Sequence, residues 1–400
     1  MDPPPAGPAH VATVSFLAAR VTPTGGFWIG LAGGVALARV ALRRGLRQGV
    51  GASVAAMLET VAIMGPARFG VPLTQAVTAP ILGRLEARGT RQLFQVLVCG
   101  AIRLIHNTVT TAFFIWVIAG GLDAYSGTYE RLAHRVGIAL DSQGTLAITA
   151  AGLLVWAAFA STVQVAVYRR GIRTWSGEEG DDQAEGEPVP AAPRRRYDPR
   201  AVALAAALAF ALLLASTDWL LLGGISLWLA LAWASARADR SVVATGLIFT
   251  ALLGGGAFIF TLGGGLGLDL AARRGLRAAL LVLVATWLRA AAGADGLREV
   301  FRRVLGRLRA IPGMPEAVAV LDRIGSEGRL LAAGRSLAAA VRSVPKRPLP
   351  VLDAVLEWVA GESARFRAGT AAPVAGLAAR PLDWALVALA AVPALALSVA

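Results

Sequence analysis

Cys99 is the only cysteine, so the chain can close no internal disulfide and build no cysteine-ligated metal centre. His10, His106 and His134 are its only histidines, too few and too scattered in the sequence for zinc chemistry, and no resident metal is expected. Lysine is nearly absent too: Lys346 stands alone among 39 basic residues, the rest being arginine. Charge as a whole is scarce, 16% of residues against about 25% in an ordinary soluble domain, which leaves too few solvated groups to cover a globular surface. The first 24 residues lack a basic leading region, with the first arginine at Arg20, so they read as an N-terminal tail and not as a cleavable signal. No Ser-His-Asp set is found, and neither Gly254-Gly255-Gly256 nor Gly263–Gly267 carries the Gly-Lys-Ser/Thr ending of a phosphate-binding loop. No enzyme, no catalytic residue and no cofactor is therefore expected.

What is present is apolar length. The chain is 56% hydrophobic with a mean hydropathy of +0.62, the balance of an all-α, polytopic integral protein of the cell membrane in contact with the lipid bilayer. Apolar runs cover Phe27 to Leu42, Val50 to Met64, Leu93 to Leu122, Gly144 to Tyr168, Ala201 to Ser216, Leu220 to Trp233, Val242 to Leu262, Leu276 to Leu288 and Asp383 to Ala400. Val71 to Leu82 is too short to cross, and reads as a tilted or re-entrant piece. With it the count is nine or ten spans. The net charge of +14 gathers in arginine clusters at span ends (43–47, 84–91, 169–173, 194–200, 237–240 and 289–309), where cytoplasmic loops collect it, so no nucleic-acid surface is inferred. Arg273, Arg274 and Arg277 fall on the opposite side of this path, against the trend.

Residues 171–200 interrupt the pattern. Six acidic residues between Glu178 and Glu187, three prolines and Arg194–Arg196, with almost no large apolar side chain, read as a flexible linker. It divides a first membrane domain, 25–170, from a second, 201–400. After Leu288 the apolar residues recur at three and four: Leu297, Val300, Phe301, Val304, Leu305 and Leu308, with arginines on the other face. Further amphipathic stretches run from Glu316 to Ile324, Leu330 to Val344 and Val351 to Phe366, so that 297–366 forms a cytoplasmic amphipathic layer.

The order of these pieces, with Asp198-Pro199-Arg200, the glycine-rich turn, Arg274-Gly275-Leu276, the break at Gly313-Met314-Pro315 and Arg380-Pro381-Leu382-Asp383-Trp384, resembles the transmembrane (T) component of energy-coupling factor transporters, ABC-type importers. The resemblance covers 198–400. It implies that helices within 297–366 are coupling helices seated on separate ABC-type ATPase subunits, which would bind the ATP. It implies uptake of a small molecule such as a vitamin or a metal ion, with a separate substrate-binding membrane subunit as a further partner. In the family each coupling helix ends in Ala-Arg-Gly; the counterparts here are Arg365, in Ala364-Arg365-Phe366, and Arg335, in Gly334-Arg335. The first domain takes the place of a substrate-binding side, with Gly30 and Gly34, or Ala32 and Ala36, spaced for close helix approach. A non-transport membrane scaffold that kept the fold is the alternative, and an intramembrane enzyme at His106 and Glu59 a third.

Ionisable groups at membrane depth point to a substrate pocket. Arg103, Asn107 and Thr111 share one face of a span with His106 close by, and Glu59 is the expected counter-charge to Arg103. The bland reading has Arg103 reaching for the interface and His106 bonded between helices.

Overall fold

The computed structural model describes residues 4–21, 26–66, 72–175, 197–236, 240–366 and 380–398. All regular structure among them is helical. Ala6–Val21 (α1) pairs with Gly26–Arg44 (α2), and Leu46–Met64 (α3) with Pro72–Ala87 (α4). Gln92–Phe113 (α5) runs on as a π-helical segment, Phe114–Ala119, followed by Leu122–Arg135 (α6) and Ser142–Thr174 (α7). Then come Pro199–Ala215 (α8), Trp219–Ser235 (α9), Arg240–Gly263 (α10), Leu268–Arg307 (α11), Met314–Leu321 (α12), Glu327–Arg342 (α13), Pro348–Arg365 (α14) and Pro381–Ala391 (α15). Five helices, α2, α5, α7, α10 and α11, are long and apolar enough to cross a membrane, and α8, α9 and α15 are shorter apolar helices. The chain is thus an all-α, polytopic membrane protein, with five full-length candidate spans among the described residues against the nine or ten expected.

Three of the five wear their apolar residues outside. Only 11% of the apolar window of α5 and 17% of those of α7 and α10 is buried, so Leu97, Ile105, Leu154, Leu252 and Ile259 face outward, where lipid suits them and water does not. In α2 the share is 72%. A helix apolar on every side must be packed on every side, and α1, α3, α4, α7 and α14 enclose it. Small residues let them come close: Gly33 lies on Ala12 and Ser15 of α1, Gly30 near Ala19, Gly34 beneath the Tyr168 ring of α7, and Ala38 against Gly83 of α4. Gly30 and Gly34 therefore serve contacts within this chain.

Residues 6–19 carry no Asp, Glu, Lys or Arg, so nothing prevents their burial, and the expected tail is corrected: α1 is a core helix, with Val11, Val14 and Phe16 fully enclosed. The α1–α2 hairpin reaches only partway along α7. Phe27, at the start of α2, sits 6.2 Å from Trp156, whereas Arg39 near its end lies over Trp175 at 4.8 Å. From Trp156 to Trp175 is about 28 Å of helix, close to a hydrocarbon core of about 30 Å, as the length of α2 requires. Of the short apolar piece, residues 72–82 belong to α4, the second arm of the α3–α4 hairpin.

Three of the arginine clusters share one face of the molecule. Arg47 meets Glu316 at 2.5 Å, Arg169 meets Glu86 at 3.2 Å and Arg170 meets Asp353 at 2.9 Å, which brings 43–47, 84–91, 169–173 and the amphipathic helices to the same end. The expected boundary between two membrane domains is not a boundary in the packing. The buried faces of α12, α13 and α14, with Val320, Leu337 and Val355, complete the core around α1 and α2, while α8, α9, α11 and α15 build a second core around Trp228 and Trp287, whose rings are 5.2 Å apart. Of the linker, 176–196 lies outside the described residues; Gly171–Thr174 continue α7, and Asp198 caps α8 by accepting the Arg200 backbone N–H at 2.9 Å. The polar stretch from Asp123 to Ser142 contains most of α6.

Where α2 meets α4, a Cβ on Gly83 would collide with the Ala38 carbonyl, a backbone atom with no room to move. Gly83→Ala should cost about 1 to 3 kcal/mol and lower the unfolding temperature of the detergent-solubilised protein. Gly152→Ala, on α7 in open space, serves as the control and should be neutral or slightly stabilising.

Candidate functional site

The four residues expected to form one pocket lie in two separate polar centres. Glu59, wholly buried on α3, does not pair with Arg103, and this expectation is corrected. Arg298 of α11 holds it instead, donating from Nε to Glu59 Oε2 at 2.7 Å and from Nη2 to Oε1. The reason is a kink. At Gly293 the backbone of α11 takes φ 67° and ψ 167°, a conformation that only glycine adopts without strain, and it redirects the amphipathic part of the helix, Ala294 onward, toward α3. Arg298 was expected on the solvated face of an amphipathic helix. One turn before the kink, Arg289 donates to the Ile63 carbonyl at 2.7 Å and pairs with Glu327 at 2.8 Å. One position beyond Arg298, Glu299 accepts from Arg302 at 2.8 Å and Arg303 at 2.6 Å. This centre ties α3, α11 and the start of α13 together, and each of its carboxylates has an arginine partner.

The second centre lies between α4, α5 and α7. Arg103 is 4% exposed, and its Nη2 donates to Gln164 Oε1 at 2.6 Å. The same oxygen accepts from Cys99 Sγ at 3.2 Å, while Gln164 Nε2 donates to Thr78 Oγ1 at 2.7 Å, whose hydroxyl bonds the Thr74 carbonyl at 2.5 Å. Arg103 Nε, Ser161 Oγ, Tyr168 Oη and Asn107 Nδ2 are buried without a hydrogen-bond partner. Among the described residues no carboxylate forms an ion pair with Arg103. A cation held this way at membrane depth is costly, and its amide partner satisfies geometry but not charge. Asn107 and His106, one turn along α5, are half-buried, and neither hydrogen-bonds to Glu59. Gln164, Thr78 and Cys99 escaped the sequence reading because a single polar residue in an apolar span carries no pattern.

Arg335 and Arg365 are both exposed, on the outer sides of α13 and α14. Arg365 folds back on its own helix, donating to the Gly361 carbonyl at 3.2 Å, with Glu362 3.6 Å away. The inner sides of these helices meet α1, where the His10 ring stacks on Phe366 at 4.5 Å. Among the described residues no three His, Cys, Asp or Glu side chains gather as a metal site would require. No family model, curated protein or solved structure matches the chain.

Two outcomes test these contacts. Removing either partner of Glu59–Arg298 strands a buried charge, so Glu59→Ala and Arg298→Ala should each cost about 3 to 5 kcal/mol and the double variant far less than their sum. A cycle on Glu59 and Arg103 should be additive to within about 0.5 kcal/mol. The second concerns His10, on a helix outside the candidate spans. Burial, with the charge of Arg329 adding to it, pushes its pKa down from 6.5 to about 3, so only the neutral ring fits. Between those values the unfolded chain binds a proton that the folded chain refuses. Stability attributable to His10 is therefore complete above pH 6.5 and declines as pH falls toward 3, by up to about 1.4 kcal/mol per pH unit. Unfolding temperatures measured from pH 8 to 4 should fall less steeply for His10→Phe than for the wild type.

Proposed function

We propose that the chain is the membrane-embedded transport component of an importer in the cell membrane, binding a small solute with an anionic group beside Arg103 and taking its energy from separate ATPase subunits. The observation that carries this reading is a continuous packing path from an exposed basic surface to an uncompensated intramembrane cation. Arg335 and Arg365 stand on the outside of α13 and α14. Inside, Leu356 of α14 touches α7 at Gly171, Gly7 of α1 touches Ser363, and α2 lies beneath Tyr168, one helical turn from Gln164, the partner of Arg103. A partner pressing on α13 and α14 would press on α1, α2 and α7 in turn, since packed helices shift as units and do not deform gradually.

The arginine-rich face is cytoplasmic by the usual asymmetry of membrane proteins, so α12 to α14 stand where an ATPase would find them. The planar fork of an exposed arginine suits a groove of carboxylates and helix-end carbonyls. A substrate anion beside Arg103 would supply the missing charge and give Nε, Ser161 and Tyr168 an acceptor or donor.

A non-transport scaffold is the second reading. The ion pairs Arg47–Glu316 and Arg170–Asp353 fasten α12 and α14 to the helices beneath, as a rigid platform would need.

Co-purification in mild detergent separates the two. The wild-type chain should retain an ATPase subunit from its native membranes, and Arg335→Ala/Arg365→Ala should lose most of it while remaining monodisperse with an unchanged unfolding temperature. Both side chains are exposed, so a loss cannot be blamed on misfolding. If the wild type retains no ATPase, or the double variant retains as much as the wild type, the transport reading gives way to the scaffold.

A further inference from the structure

At the opposite end from the arginine-rich face, the first turns of α11 hold three arginines with different fates. Arg273 is neutralised: it pairs with Asp269 at 2.9 Å and lies 5.6 Å over the ring of Trp219, whose Nε1 donates to the same carboxylate at 2.9 Å. Arg274 and Arg277 are each 8% exposed, and among the described residues no carboxylate lies within ion-pairing distance of either. They stand three residues apart, which places both guanidinium groups on one side of the helix. Nη1 of Arg274 and Nε of Arg277 are buried with no hydrogen-bond partner.

The surroundings are shaped around the pair. Gly120 closes the π-helical end of α5 with φ 82°, and a Cβ there would occupy the place of the Arg274 guanidinium, 2.6 Å from its Nε. Glycine at this position thus serves the backbone and the arginine together. Alongside, Phe114, Tyr125, Tyr129 and Phe260 form an aromatic cluster with ring separations of 4.9 to 6.3 Å. With Trp219 near the same end, this is the girdle expected at the depth of lipid headgroups. Two like charges, withdrawn from water and unpaired, are unfavourable singly and more so together. A bound anion removes that cost.

We propose that Arg274 and Arg277 form a binding site for a phosphate group on the face of the membrane opposite the arginine-rich end. Phosphate fits better than carboxylate because two guanidinium forks need more acceptors than the two oxygens that one fork can saturate. A phospholipid headgroup and a soluble phosphate compound present the same group to the pair. The site is distinct from Arg103, which lies on the inward half of α5 with Gln164.

The test uses the full-length protein, stripped of lipid in detergent, with three probes: inorganic phosphate, phosphatidylglycerol in mixed micelles, and diacylglycerol with the same acyl chains. Thermal unfolding of the wild type should rise in a saturable way with phosphatidylglycerol or with phosphate, and not with diacylglycerol. A response to phosphatidylglycerol alone assigns the site to a lipid, and a response to inorganic phosphate assigns it to a soluble phosphate compound. Arg274→Gln and Arg277→Gln should raise the half-saturating concentration at least tenfold, and Arg277→Lys, which keeps charge but loses the fork, should raise it less. In the absence of any probe, both glutamine variants should unfold at a higher temperature than the wild type, because a buried repulsion is gone. If neither phosphate nor phosphatidylglycerol stabilises the wild type, if diacylglycerol does so equally, or if the variants that fold respond as the wild type does, the proposal is wrong.

Discussion

The enclosure of α2 is the constraint from which the remaining packing follows. A helix whose apolar window is mostly removed from lipid and from water gains nothing from the bilayer, so its neighbours must supply every contact. Contact at that density is only reached if side chains are small where axes approach, and α2 meets that condition at Gly30, Gly33, Gly34 and Ala38. The helices recruited to the task come from distant parts of the sequence. α1, which precedes α2, and α14, which follows it by some three hundred residues, lie on it together, and their own contact at His10 and Phe366 closes the arrangement. The amphipathic helices of the C-terminal region bury their apolar stripes on protein, which is why a stripe this apolar persists beside so many arginines.

A second constraint joins the two cores. Packing of apolar surfaces is tolerant of sliding, whereas a buried ion pair is not, since a small displacement leaves charge without a partner. Glu59–Arg298 and Arg289–Glu327 therefore fix the position of α3 and α13 against α11, and the Gly293 kink makes both reachable from one helix. Without that kink the amphipathic part of α11 would continue straight on and Arg298 would face elsewhere. The register of the whole assembly thus passes through one residue with a left-handed φ.

Much of the fold was legible in the sequence, and the limits have physical causes. The amphipathic stretches were found to within a few residues because a 3.6-residue period is a local property. Helices α5, α7 and α10 were found because length and hydrophobicity are local too. What was missed is what depends on partners. α1 read as a tail because Ala, Gly and Thr are weakly apolar, and only the presence of α2 makes their burial favourable. Arg103 and Glu59 were both recognised as buried ionisable groups, yet assigned to each other, because Glu59 is the one carboxylate inside the apolar runs of the first half. The true partner of Glu59 lies 239 residues away, beyond a glycine kink that no periodicity reveals. The partner of Arg103 is an amide, Gln164, with no charge to announce it.

The buried arginines together form a graded series. Arg289 and Arg298 are balanced by carboxylates and belong to the architecture. Arg103 is held by an amide that fixes its geometry and leaves its charge. Arg274 and Arg277 have neither carboxylate nor complete hydrogen bonding among the described residues. Lysine would serve poorly at any of them, because burial would strip its proton, whereas a guanidinium keeps its charge under the same desolvation. A chain with 39 basic residues and one lysine therefore retains positive charge at depth even where nothing in the protein neutralises it. Where the protein supplies the counter-charge, the arginine holds helices together. Where it does not, the charge is maintained at a standing cost, and an anion from outside the chain is the natural way to lower it. By this criterion alone the two unbalanced positions, Arg103 toward the arginine-rich end and Arg274 with Arg277 toward the other, separate from the structural pairs.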